Sequence, residues 1–74
     1  MKVYSDTTQR TYELEDVVHY RNLIQATWLL SKPDTILLDI FESNGKMVLV
    51  FPREIHNKYI REWAERPHQN NKSE

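Results

Sequence analysis

The longest apolar stretch of the chain lies between Thr35 and Phe51, where two β-rich runs are separated by Asn44-Gly45. That pair most readily takes the positive φ angles of a type I′ turn, so the spacing predicts a two-residue β-hairpin. The turn sets the register, pairing Glu42 with Met47, Phe41 with Val48, Ile40 with Leu49, Asp39 with Val50 and Leu38 with Phe51. Simple alternation then places Ile36, Leu38, Ile40, Met47, Leu49 and Phe51 on one face, and Leu37, Asp39, Phe41, Val48 and Val50 on the other. Both faces are apolar. An antiparallel sheet wetted on one side alternates apolar with polar, so this hairpin calls for cover above and below.

The rest of the pattern supplies candidates for that cover. Threonine and tyrosine from Thr8 to Leu14 suit a half-buried strand, and Val3 and Tyr4 could add a short one before it. Asp16 can cap a helix that starts at Val17, with Glu13 and Glu15 near its positive end. On that wheel Val17, Tyr20, Leu23, Ile24, Thr27, Trp28 and Leu30 gather on the core side, away from Arg21, Asn22 and Gln25, and Pro33 ends the helix. Pro52 suits the first turn of a second helix reaching about Arg66, with Ile55, Tyr59, Ile60, Trp63 and Ala64 on its apolar half. The expected fold is a two-layer α+β domain over residues 1–66, in the order strand, helix, hairpin, helix, with a disordered polar tail from Pro67 to Glu74.

Composition narrows the chemistry. A chain of 74 residues has room for one domain, and without cysteine it has neither a disulfide framework nor a thiolate metal site. A net charge of −1 gives no global attraction to nucleic acid or anionic lipid. No signal-peptide pattern or membrane-length apolar run occurs, so a soluble, cytoplasmic protein is expected. Gly45 is the only glycine, which rules out phosphate-cradling loops of the Walker or Rossmann kind. No nucleophile motif is present, and a domain this small struggles to enclose a pocket. Neither enzymatic activity, nor a cofactor, nor a small-molecule ligand is expected.

Four groups of residues are candidates for a site. If both helices pack on the face with Ile36, Leu38 and Ile40, then Leu37, Phe41, Val48 and Val50 form an exposed patch suited to a protein partner, most simply a second copy. The competing reading is that the amino-terminal segment or a helix covers them. Second, Arg53, Lys58, Arg61 and Arg66 of the second helix interleave with Tyr59 and Trp63, the cation and ring mixture of single-strand nucleic-acid binders, and Lys46 at the hairpin tip would extend that surface. Against that, Glu54, Glu62 and Glu65 stand four residues from these cations and predict a self-paired solvated face. Third, His19, His56 and Asp39 could hold a metal or relay a proton if they converge. No zinc-motif spacing supports this, so structural histidines and no metal are expected. Fourth, Glu13, Glu15 and Asp16 read as an acidic docking patch, as a small piece of phosphate mimicry or, with fewer assumptions, as helix-capping charge.

The segments Asn22-Leu23-Ile24-Gln25-Ala26-Thr27-Trp28-Leu29-Leu30 and Gly45-Lys46-Met47-Val48-Leu49-Val50-Phe51 resemble a family of short uncharacterised bacterial and phage proteins, in which a leucine-rich helix precedes a hairpin and a closing helix. The resemblance spans about Thr8 to Arg66, and its motifs are structural. It implies no functional residues. It implies a phage or mobile-element origin, where small proteins act by binding a host protein.

Overall fold

In the computed structural model, which describes residues 1–65, the elements run β1 Lys2–Tyr4, β2 Thr11–Glu13, a turn of 3-10 helix Leu14–Asp16, β3 Val17–Tyr20, α1 Leu23–Leu30, β4 Asp39–Ser43, β5 Lys46–Pro52 and α2 Arg53–Glu65. The protein is a small α+β domain. β4 and β5 pair in the register the turn predicts, from Ser43 with Lys46 to Asp39 with Val50. Asn44 and Gly45 take φ angles of 54° and 78°, the left-handed region that glycine, lacking Cβ, enters without strain and asparagine tolerates better than most residues.

The pairing departs from expectation at the start of β4. Leu38 donates its amide to the Val50 carbonyl at 2.9 Å, although Asp39 is the residue opposite Val50. Two residues therefore face one, the pattern of a β-bulge. The extra residue reverses the alternation upstream of it. Leu38 packs against the cluster of Tyr12, Val17 and Val50 on one side of the sheet, and Leu37 against the cluster of Tyr20, Ala26, Leu29, Leu49 and Phe51 on the other. The faces assigned to Leu37 and Leu38 by simple alternation are thus exchanged.

A second correction concerns residues 17–30. Val17–Tyr20 is a strand that pairs with β5, Val18 opposite Phe51 and Tyr20 opposite Leu49, so β5 is the centre of a three-stranded sheet of order β3-β5-β4. The helix begins six residues later than the Asp16 cap predicts. Asn22 caps it instead, its side-chain oxygen accepting from the amides of Ile24 at 3.0 Å and Gln25 at 3.2 Å. Asp16 lies in the 3-10 turn, while Glu13 and Glu15 pair with the Met1 ammonium, so capping does not explain the acidic group.

Both helices lie on the sheet face that carries Tyr20, Leu49 and Phe51. Ala26 and Leu29 of α1 are buried there, with Ile55 and Tyr59 of α2 packed against them. Tyr20 meets the Phe51 ring edge-on at 5.1 Å. The opposite face is covered by a third layer, the antiparallel pair of β1 and β2, with Val3 and Tyr12 against Val17 and Val50. The arrangement is therefore helices, sheet and hairpin rather than two layers, and the amino-terminal segment is the cover. The tail from Pro67 to Glu74 lies outside the described residues.

Candidate interaction surface

The amino-terminal hairpin is fastened through one buried carboxylate. Asp39 accepts from the Ser5 hydroxyl at 2.5 Å, the Tyr12 hydroxyl at 2.9 Å and the Ile40 amide at 2.8 Å. Ser5 and Asp39 are both buried, and Ser5 also accepts from the Thr8 amide. Charge-assisted bonds of this kind are about twice as strong as neutral ones, which is how a carboxylate tolerates burial. Burial and the bond to Asp39 push the Tyr12 hydroxyl up to about 12. Thr8 adds a bond to the Leu38 carbonyl at 2.7 Å, and Thr7 a longer one to Ile40.

This docking removes the expected hairpin patch. Val48 and Val50 are wholly buried, and Leu37 lies on the helix side. Only Phe41 remains open, 37% exposed, and its ring meets His19 edge-on at 6.2 Å. The register puts His19 and Asp39 on either side of Val50, yet their side chains have different partners. His56 is on the helix face, where Nδ1 lies 2.6 Å from the Tyr20 hydroxyl. The three candidates do not converge. Among the described residues no three histidine, cysteine, aspartate or glutamate side chains come together as a metal site.

Burial lowers the His56 pKa from its usual 6.5, with the nearby Arg53 charge adding to the effect, while burial raises that of Tyr20. A neutral imidazole accepting the Tyr20 proton at Nδ1 carries its own proton on Nε2. The folded state thus binds His56's proton less readily than the unfolded state does. Stability from this pair is full above pH 6.5 and falls as the pH drops through that value toward the lower folded pKa. Melting temperatures measured from pH 7.5 to 5 should fall less steeply in His56→Gln than in the wild type; parallel curves would show that His56 does not titrate against folding.

Two of the cations proposed for nucleic acid have other partners. Arg53 donates to the Val17 carbonyl at 3.0 Å. Lys58 pairs at 2.5 Å with Asp34, which also accepts from Tyr59, and these two bonds hold the Asp34 carboxyl below its ordinary value. Glu62 pairs with Lys32 rather than along its own helix. Lys46 opens β5 and Arg53 follows its last residue, so the two stand roughly 20 Å apart at opposite ends of a strand. Arg61 is exposed, and Arg66 lies outside the described residues. Among the described residues these cations form no continuous basic track.

The surface that remains was not singled out in the sequence. With the helix starting at Leu23, the buried side of α1 is Ala26 and Leu29, and the residues expected in the core turn outward: Leu23 is 51% exposed, Ile24 72% and Leu30 43%. Leu23, Ile24, Thr27 and Trp28 line an open apolar groove of about 440 Å³. Its Trp28 wall is held from behind by Trp63 at 5.2 Å, by Tyr59 at 6.4 Å and by the Lys32 ammonium 4.6 Å over the ring. No residue of α1 is charged. A surface helix ordinarily presents charge to water, so an uncharged outer face is the signal that could have found it. No helix among the described residues is long and apolar enough to cross a membrane. In comparisons with family models, curated proteins and solved structures, nothing matches the chain.

Proposed function

We propose that this protein is a non-enzymatic protein-binding module whose contact surface is the outer face of α1. The observation that carries the reading is the exposed, charge-free stripe of Leu23, Ile24 and Leu30 beside a groove walled by an immobilised tryptophan. Leaving these side chains half or more in water forgoes part of the ~1.5–3 kcal/mol that full burial of such a side chain contributes, and a protein partner supplies the remaining burial. A wall fixed in advance loses little freedom on binding, which favours affinity. The resemblance to short phage and bacterial proteins fits a regulator or inhibitor of a host protein. The dispersal of Lys46, Arg53, Lys58 and Arg61 favours this over a nucleic-acid accessory role.

Nuclease-treated affinity capture, run in parallel with wild type and Ile24→Lys, tests the reading. A defined protein recovered by the wild type and depleted at least tenfold with the variant is the expected result. Equal recovery by both, or recovery only without nuclease, would overturn it.

A further inference from the structure

The two faces of the three-stranded sheet are covered in different ways. On one, Ala26 and Leu29 sink into a cluster with Tyr20, Leu49 and Phe51, and Ile55 and Tyr59 pack against it. On the other, the cluster is Tyr12 with Val17 and Val50, flanked by Val3 and Leu38. Apolar burial holds an element in proportion to the area removed from water, so the smaller cluster holds its cover less firmly. β1 and β2 also form a sheet of their own, without strand pairing to β3, β5 or β4. The hydrogen bonds that cross between the two sheets come from side chains: Ser5 and Tyr12 on the Asp39 carboxylate, Thr7 and Thr8 on the carbonyls of Ile40 and Leu38. Water replaces both partners of such a bond when the sheets part, which makes its net cost far smaller than that of stranding one partner in the interior. The loop between β1 and β2 adds strain. Gln9 sits at φ 59°, the left-handed conformation in which Cβ crowds the following carbonyl oxygen. A lone two-stranded hairpin has little stability of its own, so once undocked it relaxes and Gln9 leaves that conformation.

We infer that the amino-terminal hairpin is a hinged cover, which lifts from the sheet while β3, β5, β4 and both helices stay folded. Its hinge is the 3-10 turn Leu14–Asp16, the chain link from β2 to β3. Lifting is a partial opening of the domain, confined to the layer with the least apolar burial. It uncovers Val17 and Val50 on the face where Phe41 is already exposed, an apolar surface that the closed state hides. α1 lies across the sheet from this cover and keeps its own contact face in both states. Two kinds of substitution tell the states apart. A change in the Asp39 hub weakens the closed state against the lifted and the unfolded states alike, because neither of those contains the hub. A change on the helix side weakens closed and lifted states equally, so it promotes global unfolding and leaves lifting alone.

Both openings can be read in one protein, the full chain carrying Val50→Cys, which has no other cysteine. Thiol labelling reports any opening that bares this position. Hydrogen exchange of the β5 amides, which are paired with β3 on one side and β4 on the other, reports loss of the sheet itself. With each rate divided by its denatured-state value, the thiol should open at least about tenfold more often than the β5 amides exchange. Ile55→Ala, added on the helix side, should raise amide exchange about tenfold and leave labelling within about twofold of its former rate. Ser5→Ala should instead raise both by about fivefold or more, since only the closed state contains its bond to Asp39. If Ile55→Ala unfolds the domain, the comparison of thiol with amides in Val50→Cys alone decides. Equal opening by the two probes, or a parallel rise of both with Ile55→Ala, would overturn the separate cover and show that the domain opens only as a whole.

Discussion

Asp39→Ala is expected to lower the unfolding free energy by about 3 kcal/mol, a large share of what a domain of this size possesses. The substitution strands three donors: the Ser5 hydroxyl, the Tyr12 hydroxyl and the Ile40 amide. Each buried donor left without an acceptor costs about 1–3 kcal/mol, and relaxation of the amino-terminal hairpin toward water returns part of it. Asp39→Asn keeps the shape and one acceptor oxygen, so it should recover about half of the loss. Urea denaturation followed by tryptophan fluorescence gives these differences. A spectroscopic readout separates the hub from a general loss of packing. Tyr12's contribution to stability is full below pH 10 and is lost as the pH climbs toward its folded pKa of about 12. Without Asp39 the Tyr12 phenol should ionise closer to 10, visible as an earlier tyrosinate absorbance step. A variant as stable as the wild type, with the late step preserved, would show that the carboxylate does not fasten the hairpin.

Phe51→Ala should be the most damaging truncation, at about 3–5 kcal/mol, because it removes a wholly buried ring on the central strand. That ring touches Tyr20 across the strands and belongs to the cluster that receives Ala26 and Leu29 from α1. The cavity left would border both helices, and collapse of either would strain the other. Ile24→Ala, an equally apolar residue two positions before Ala26, should change stability by less than about 0.5 kcal/mol, because its side chain already faces water. The pair of measurements fixes which side of α1 is core. Equal losses at Phe51 and Ile24 would place Ile24 in the interior and remove the binding surface.

How much of this was readable in the chain depends on whether the signal is local. The Asn44-Gly45 turn dictates its own geometry, so the β4 and β5 register was legible, as were the limits that Pro33 and Pro52 set on the helices. Val17-Val18-His19-Tyr20 is different. Four residues of that kind fit a helical wheel and a strand equally well, and the deciding factor was the unpaired side of β5, which only the tertiary structure offers. The β-branched pair Val17-Val18 and the capping side chain of Asn22 were the available clues. Once the helix start moved, its face rotated, and Leu23, Ile24 and Leu30 passed from core to surface. The Leu38 bulge was illegible for a similar reason, since alternation carries no mark of an inserted residue. The need for cover on both faces of the hairpin was legible; the identity of the cover was not, because Ser5 and Tyr12 reach Asp39 across 34 and 27 residues.

The amino-terminal hairpin seals one face of the sheet, and α1 turns Leu23, Ile24 and Leu30 outward on the other. The chain contains no cysteine, so single cysteines report accessibility without background. Thiol labelling of Val50→Cys and Ile24→Cys under native conditions is the direct measurement. Ile24→Cys should react within a few-fold of the denatured rate, and Val50→Cys should be slower by a factor of at least about 100, set by opening of the domain. Comparable native rates at the two positions would contradict this arrangement.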